Sequence, residues 1–399
     1  MITKELILKL FDASYMLRWN DKVRPMDLYE IDKQSHKMFI AFFLGKFQEN
    51  DPGFDWTEII EGGIFELLQR IVLTDLKPHI FYMIKNDKNK YAQLNEWVYK
   101  QLKPVLDCLD KDFHDKFVNH FKKQDDTVNK RILSASHIYA SLYEFNLIKP
   151  LNKNAYDLHD IETDFRNKLE LYFDLEGMKK LKLYANYDQF INFCADLRYQ
   201  YRWANLHRVP RTSVLGHSFM VAMLSYFLSK EIGACDKRIY YNFYTGLFHD
   251  LPEVLTRDVI SPVKRAVEGL DEMIKDFEHE LLEKWIYDLL PEQHLKDIKL
   301  FSESEFDNFV ISNGKRIQDI SSEKINEKYN TADVIARDGK VVKTADELSA
   351  FVEAYSAMTN GIMHKTFIEA TDMFRDKYKD IKIAGIDINQ IYNQFEAIN

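Results

Sequence analysis

Gly246-Leu-Phe-His-Asp-Leu-Pro-Glu-Val-Leu-Thr-Arg-Asp258 is the stretch from which the rest of the chain can be read. An apolar helical run, Tyr240 to Phe248, stops abruptly at His249-Asp250. An imidazole beside a carboxylate at a helix end is half of a metal site. Pro252 suits the first turn of a new helix, where its missing N–H costs nothing. Glu253 and Asp258 follow within two turns, so four polar groups can converge on one cleft. That grouping is a poor way to build a core and a good way to hold a cation.

At 399 residues the chain exceeds one typical domain of about 100–200, so two domains are expected. An apolar content of 46%, with 14% aromatic, supports substantial cores and excludes a disordered chain. Only 13 Gly and 9 Pro leave few turn signals, and apolar residues recur at helical spacing throughout. The expected fold class is all-α. A net charge of −9 offers no general attraction to nucleic acid or to an anionic membrane, so neither a duplex nor a membrane is an expected partner. Cys108, Cys194 and Cys235 stand apart in apolar segments without a CxxC pair, which points to reduced thiols and a cytoplasmic location. The first residues lack a signal-peptide layout, and no apolar run approaches the roughly 18 residues of a membrane span.

Helices are expected over 4–19, 34–47, 57–73, 91–109, 112–122, 128–148 and 161–183, with a polar loop at 151–160. After about Asn186 the pattern begins again. Tyr201-Arg202-Trp203 echoes Leu17-Arg18-Trp19, and His217 with its apolar helix echoes His36. The stretch Gly246–Asp258 lies against Gly63–Asp75, Lys343–Ala350 against Ile132–Tyr139, and Ile368–Arg375 against Ile161–Arg166. Matches that keep one order point to a duplication, with domains at 1–184 and 185–399 and residues 301–340 as an insertion in the second. The copies differ where it matters. At the positions of His249, Asp250 and Glu253 the first copy has Glu66, Leu67 and Arg70, and at Asp346 it has Ser136 or its neighbour His137. Leu67 cannot ligate and Arg70 repels a cation, so only the second copy is expected to hold a metal.

His217, His249, Asp250 and Asp346 form that candidate set. Neutral imidazole and carboxylate oxygen suit transition ions rather than calcium. Asp346 precedes Leu348, Phe351 and Val352 on the inward face of a helix, where a carboxylate is costly unless paired or bound to a cation. Glu253, one turn past the ligand pair, is placed to orient a water or carry a proton. Arg202 offers a fork to phosphate, and Trp203 a flat face to a sugar or base. Asp258 and Lys264 are further substrate-side candidates. His114, His120, His159, His294 and His364 sit in polar surroundings without a spacing signal.

The ordered set of His217, His249-Asp250 and Asp346, with Arg202-Trp203, Arg211-Thr212 before His217-Ser218, Glu253-Val254-Leu255-Thr256, Asp258, Ser261-Pro262-Val263-Lys264 and Lys343-Thr-Ala-Asp346, resembles the HD-domain phosphohydrolase superfamily. Within it the chain is most similar to the bacterial HD-domain 5′-deoxynucleotidases, over roughly 187–300 and 340–375. That resemblance implies two tandem HD-type helical domains, the first degenerate, and a single divalent ion (Mn, Co, Fe, Ni, Zn or Mg) on His217, His249, Asp250 and Asp346. It implies a hydrolase that frees the 5′-phosphate of nucleoside monophosphates with a metal-activated water, Asp250 and Glu253 acting in the chemistry. Arg202, Trp203, Asp258 and Lys264 then bind the nucleotide. Related enzymes remove triphosphate from deoxynucleoside triphosphates or cleave cyclic nucleotides, and a metal- or nucleotide-binding sensor is the non-enzymatic alternative. The first copy is expected to support the second or to form a homodimer face. Two features depart from the family: Gly216 stands where an acidic residue is usual, and 301–340 is extra.

Overall fold

The computed structural model describes residues 1–74, 76–122, 126–257 and 267–398. It is mostly helical. The N-terminal half runs α1 (Lys4–Phe11), α2 (Glu30–Gln48), α3 (Trp56–Leu73), α4 (Pro78–Asn86), α5 (Lys88–Leu106), α6 (Lys111–Lys122), α7 (Val128–Ile148), α8 (Leu158–Glu170) and α9 (Glu176–Leu183). The C-terminal half follows with α10 (Ala185–Asp196), α11 (Val214–Glu231), α12 (Asp236–Phe248), α13 (Glu253–Thr256), α14 (Leu270–Trp285), α15 (Glu292–Ser302), α16 (Ser322–Lys328), α17 (Gly339–Thr359), α18 (Lys365–Tyr378) and α19 (Asn389–Tyr392). No described helix is long and apolar enough to cross a membrane.

The two central helices, α2 and α11, pack side by side and are buried nearly all round. Their composition is the cause: Met38 to Leu44 and Phe219 to Leu228 present apolar side chains on every face, the pattern of a helix with no solvent side. Ser213 caps α11 by accepting the Gly216 N–H at 2.9 Å, and its hydroxyl donates to Asp32 of α2 at 2.7 Å. At Gly246 a Cβ would lie 2.9 Å from the Ala222 backbone, so only glycine lets α12 cross α11 this closely.

The largest apolar cluster draws on both halves. Phe42 of α2 lies 5.0 Å from Tyr244, 5.1 Å from Phe248 and 5.6 Å from Phe301, ring to ring, all three across the midline. Beside it, Lys46 pairs with Asp297 of α15 at 2.8 Å, and the Tyr240 hydroxyl donates to the same carboxylate at 2.9 Å. His294, expected in polar surroundings, is fully buried among Phe42, Phe43 and Phe47, its ring nitrogen against the Phe43 carbonyl at 2.9 Å.

Helix boundaries fall close to those expected except at two corners and over 161–183, where the one expected helix divides into α8 and α9. The first helix ends at Phe11 rather than at residue 19, because the chain turns through a 3-10 segment (Asp12–Ser14) into a left-handed residue, Trp19. In the second half α10 likewise gives way to a 3-10 turn (Leu197–Tyr199) before left-handed Trp203. Within 301–340 a small antiparallel sheet forms from β1 (Phe309–Ser312), β2 (Lys315–Gln318) and β3 (Ile335–Arg337), ordered β2-β1-β3. Asn313-Gly314, both at positive φ, close the β1–β2 hairpin, the usual chemistry of a two-residue turn. A second antiparallel pair, β4 (Lys382–Ile383) and β5 (Ile386–Asp387), follows α18.

Candidate metal centre

Three helices bring the polar groups together. α11 carries His217 one turn in, α12 ends at His249-Asp250, and α17 supplies Asp346. One ligand atom each from His217, His249 and Asp346 lies within 4.8 Å of the others. Asp250 joins them: its carboxylate is 3.2 Å from His249 Nε2 and 3.8 Å from His217 Nε2. Arg202 stands behind it, 3.9 Å from Asp250 Oδ2.

The imidazoles face inward by their Nε2 atoms because the outer nitrogens are engaged. His249 Nδ1 lies 2.9 Å from the Gly246 carbonyl, which only an N–H can satisfy, so in the neutral ring that binds a metal Nε2 carries the lone pair. His217 Nδ1 lies 3.1 Å from Ser349 Oγ and 3.7 Å from Glu353 Oε1, and its Nε2 lies 3.1 Å from Asp346 Oδ1. Lone pairs of imidazole and carboxylate then point at one another across about 3 Å, an arrangement that repels unless a cation or a proton sits between. His249 Nε2 and Asp250 Oδ2 are buried with no hydrogen-bond partner. Burial alone would lower the His249 pKa, yet Asp250 and Asp346 outweigh it and hold it above the ordinary value. Burial would raise Asp346, but Lys343 and the two imidazoles hold it far below the carboxylate range. The donor set of two nitrogens and two carboxylates fits a divalent transition ion.

Glu253, at the start of α13, is buried one turn past Asp250, with its backbone N–H on the Asp250 carbonyl at 3.0 Å and its own carbonyl accepting from Gln200 at 2.6 Å. Asp258 and Lys264 lie outside the described residues.

Glu353 of α17 is not among the residues the sequence singled out, and it organises the rim. It is 1% exposed and accepts from Arg202 Nε at 3.2 Å, from the Trp203 indole at 2.8 Å and from the Thr212 hydroxyl at 2.7 Å. Burial would raise its pKa, but the Arg202 and Arg208 guanidiniums hold it at about 2. Trp203 therefore spends its N–H on the protein, and its ring packs 5.3 Å from Phe367. The signal for Glu353 was its position seven residues after Asp346, two turns along one helix face.

A matching corner exists in the N-terminal half. Trp19 and Trp203 share φ 56°, and isolated bridges pair Leu17 with Tyr29 and Tyr201 with Ser213. The Trp19 indole donates to buried Glu144 at 3.0 Å, and Arg18 Nε reaches the same carboxylate at 2.7 Å. The spacing that takes Trp19 onto Trp203 and Tyr29 onto Ser213 takes Lys33, rather than the expected His36, onto His217. Lys33 Nζ lies 2.5 Å from His137 Nδ1, and burial drives its pKa well down. His36 lies apart, its ring edge-on to Tyr143 at 5.0 Å. Glu66 pairs with Lys37 at 2.6 Å, Leu67 is fully buried, and Arg70 reaches Glu30 at 3.3 Å.

Gly216 also has a physical account. A Cβ there would lie 2.7 Å from Asp32 Oδ1 and 2.8 Å from Ile31, so any larger residue collides with α2. The space an acidic side chain would use beside His217 is taken by the carboxylate of Asp32.

Residues 194–383 match the family model described as HD domain. Among solved structures, an HD-domain phosphohydrolase from Listeria innocua is similar at 19% identity, over 50% of this chain and 83% of that one, with a TM-score of 0.38. No curated protein matches. The family match supports the HD superfamily for this part of the chain.

Proposed function

We propose that the protein is a metal-dependent phosphohydrolase that releases the 5′-phosphate of nucleoside or deoxynucleoside monophosphates. The observation that carries the reading is the pair of buried imidazoles whose outer nitrogens are engaged and whose inner nitrogens face Asp250 and Asp346. His217, His249, Asp250 and Asp346 hold the ion, which when bound lowers the pKa of a coordinated water toward neutrality. Glu253 takes and returns the proton beside that centre. Arg202, held by Glu353 at 3.2 Å, lies beside the metal-holding carboxylate of Asp250 and offers its positive charge to the phosphate.

The test combines elemental analysis with turnover. The purified chain should carry one divalent ion and release inorganic phosphate from a panel of nucleoside monophosphates. Glu253→Gln should lower kcat by about 10²–10⁴-fold with KM and metal content little changed. Release of tripolyphosphate from triphosphates in place of phosphate would refute the monophosphate reading and leave the metal centre standing.

We also propose that the two halves arose by duplication, supported by the matching Arg-Trp-Glu corners and by Lys33 and His137 facing each other where the second half has His217 and Asp346. The first half then acts as structural support through the shared aromatic core. A fragment of residues 185–399 that is fully stable and active as a monomer would sink this role.

A further inference from the structure

We propose that Phe306 is the wall on which the aromatic part of the substrate stacks, and so the residue that favours nucleotides over small aliphatic phosphomonoesters. The proposal rests on the reading of the metal centre as a phosphohydrolase site. Phe306 belongs to the 301–340 segment, to which the sequence assigned no role. Its half-buried ring lies 6.0 Å from the His249 ring, and the Lys343 ammonium sits 4.2 Å over its face. Lys343 in turn donates to Asp346 Oδ2 at 2.8 Å. The ring thus lies between His249 and the lysine that holds Asp346.

Its position is fixed in advance. Arg337, fully buried, donates to the backbone carbonyls of Leu300, Glu303, Ser304 and Asp307, which clamps the loop on both sides of Phe306. Gly339 lets α17 start directly against that loop, since a Cβ there would lie 2.3 Å from the Phe306 carbonyl carbon. A rigid, partly exposed aromatic beside a phosphate-handling centre loses little entropy on binding, and every nucleobase offers it a π-face.

The experiment uses the full chain with its metal in a Glu253→Gln background, which separates binding from turnover. Deoxyadenosine monophosphate and glycerol phosphate are titrated calorimetrically. Phe306→Ala should weaken nucleotide binding about tenfold and change glycerol phosphate binding by less than about twofold. Phe306→Tyr should restore the nucleotide affinity and Phe306→Leu should not, which separates stacking from packing. With Glu253 intact, KM for the nucleotide should rise about tenfold in Phe306→Ala while kcat changes little. Equal losses for both ligands, no loss for either, or no nucleotide binding at all overturns the assignment. Selective nucleotide binding without phosphate release in the Glu253-intact protein would refute the proposed activity and leave the Phe306 assignment standing.

Discussion

Asp32→Asn should stabilise the protein above neutral pH. Asp32 is 2% exposed at the crossing of α2 and α11, where its carboxylate accepts the Ser213 hydroxyl at 2.7 Å. Burial raises its pKa from 3.8 to about 6, with Arg198 and the Ser213 hydroxyl offsetting part of the rise. A carboxyl whose folded pKa is raised contributes stability that is full below its unfolded value and lost as pH climbs through the folded one. The window therefore runs from about pH 4 to about pH 6, and the rise is worth about 3 kcal/mol at 1.36 kcal/mol per pKa unit. The amide keeps an oxygen for Ser213 and carries no charge to desolvate. Urea unfolding of both proteins at pH 4.5 and 7.5 measures it. The variant should gain up to about 3 kcal/mol at pH 7.5 and clearly less at pH 4.5. An equal gain at both values, or none at pH 7.5, would refute the burial argument.

Phe42→Ala should cost about 3–5 kcal/mol and leave a single unfolding transition, since the ring packs on Trp56 of its own half and on Tyr244 and Phe301 of the other; two separated transitions would contradict the shared core. His217→Ala and Asp346→Asn should each reduce bound metal from one equivalent toward none by elemental analysis, whereas Lys33→Met should leave it unchanged. Trp203→Phe should cost about 1–2 kcal/mol by losing the bond to Glu353, with metal content intact; an unchanged stability would show that this bond carries nothing.

The sequence by itself determined the helical class and singled out His217, His249-Asp250 and Asp346 as one candidate set, of which the structure brings His217, His249 and Asp346 within 4.8 Å of one another. Helical periodicity is a local property, and a histidine or aspartate on an apolar helix face has few ways to be tolerated. His217, His249-Asp250 and Asp346 were legible for that reason. The Asn313-Gly314 pair that closes the small hairpin is an equally local signal. What only the tertiary structure decided is every relation between distant segments. Nothing within reach of Gly216 in the chain indicates that Asp32 of another helix occupies the space beside it. Nothing near Trp203 in the chain indicates that its indole N–H donates to Glu353, 150 residues later. Lys33 facing His137, and Phe306 laid against His249 by an arginine thirty-one positions onward, follow the same rule. A local pattern states what each side chain needs, whereas long-range packing settles which distant group meets that need.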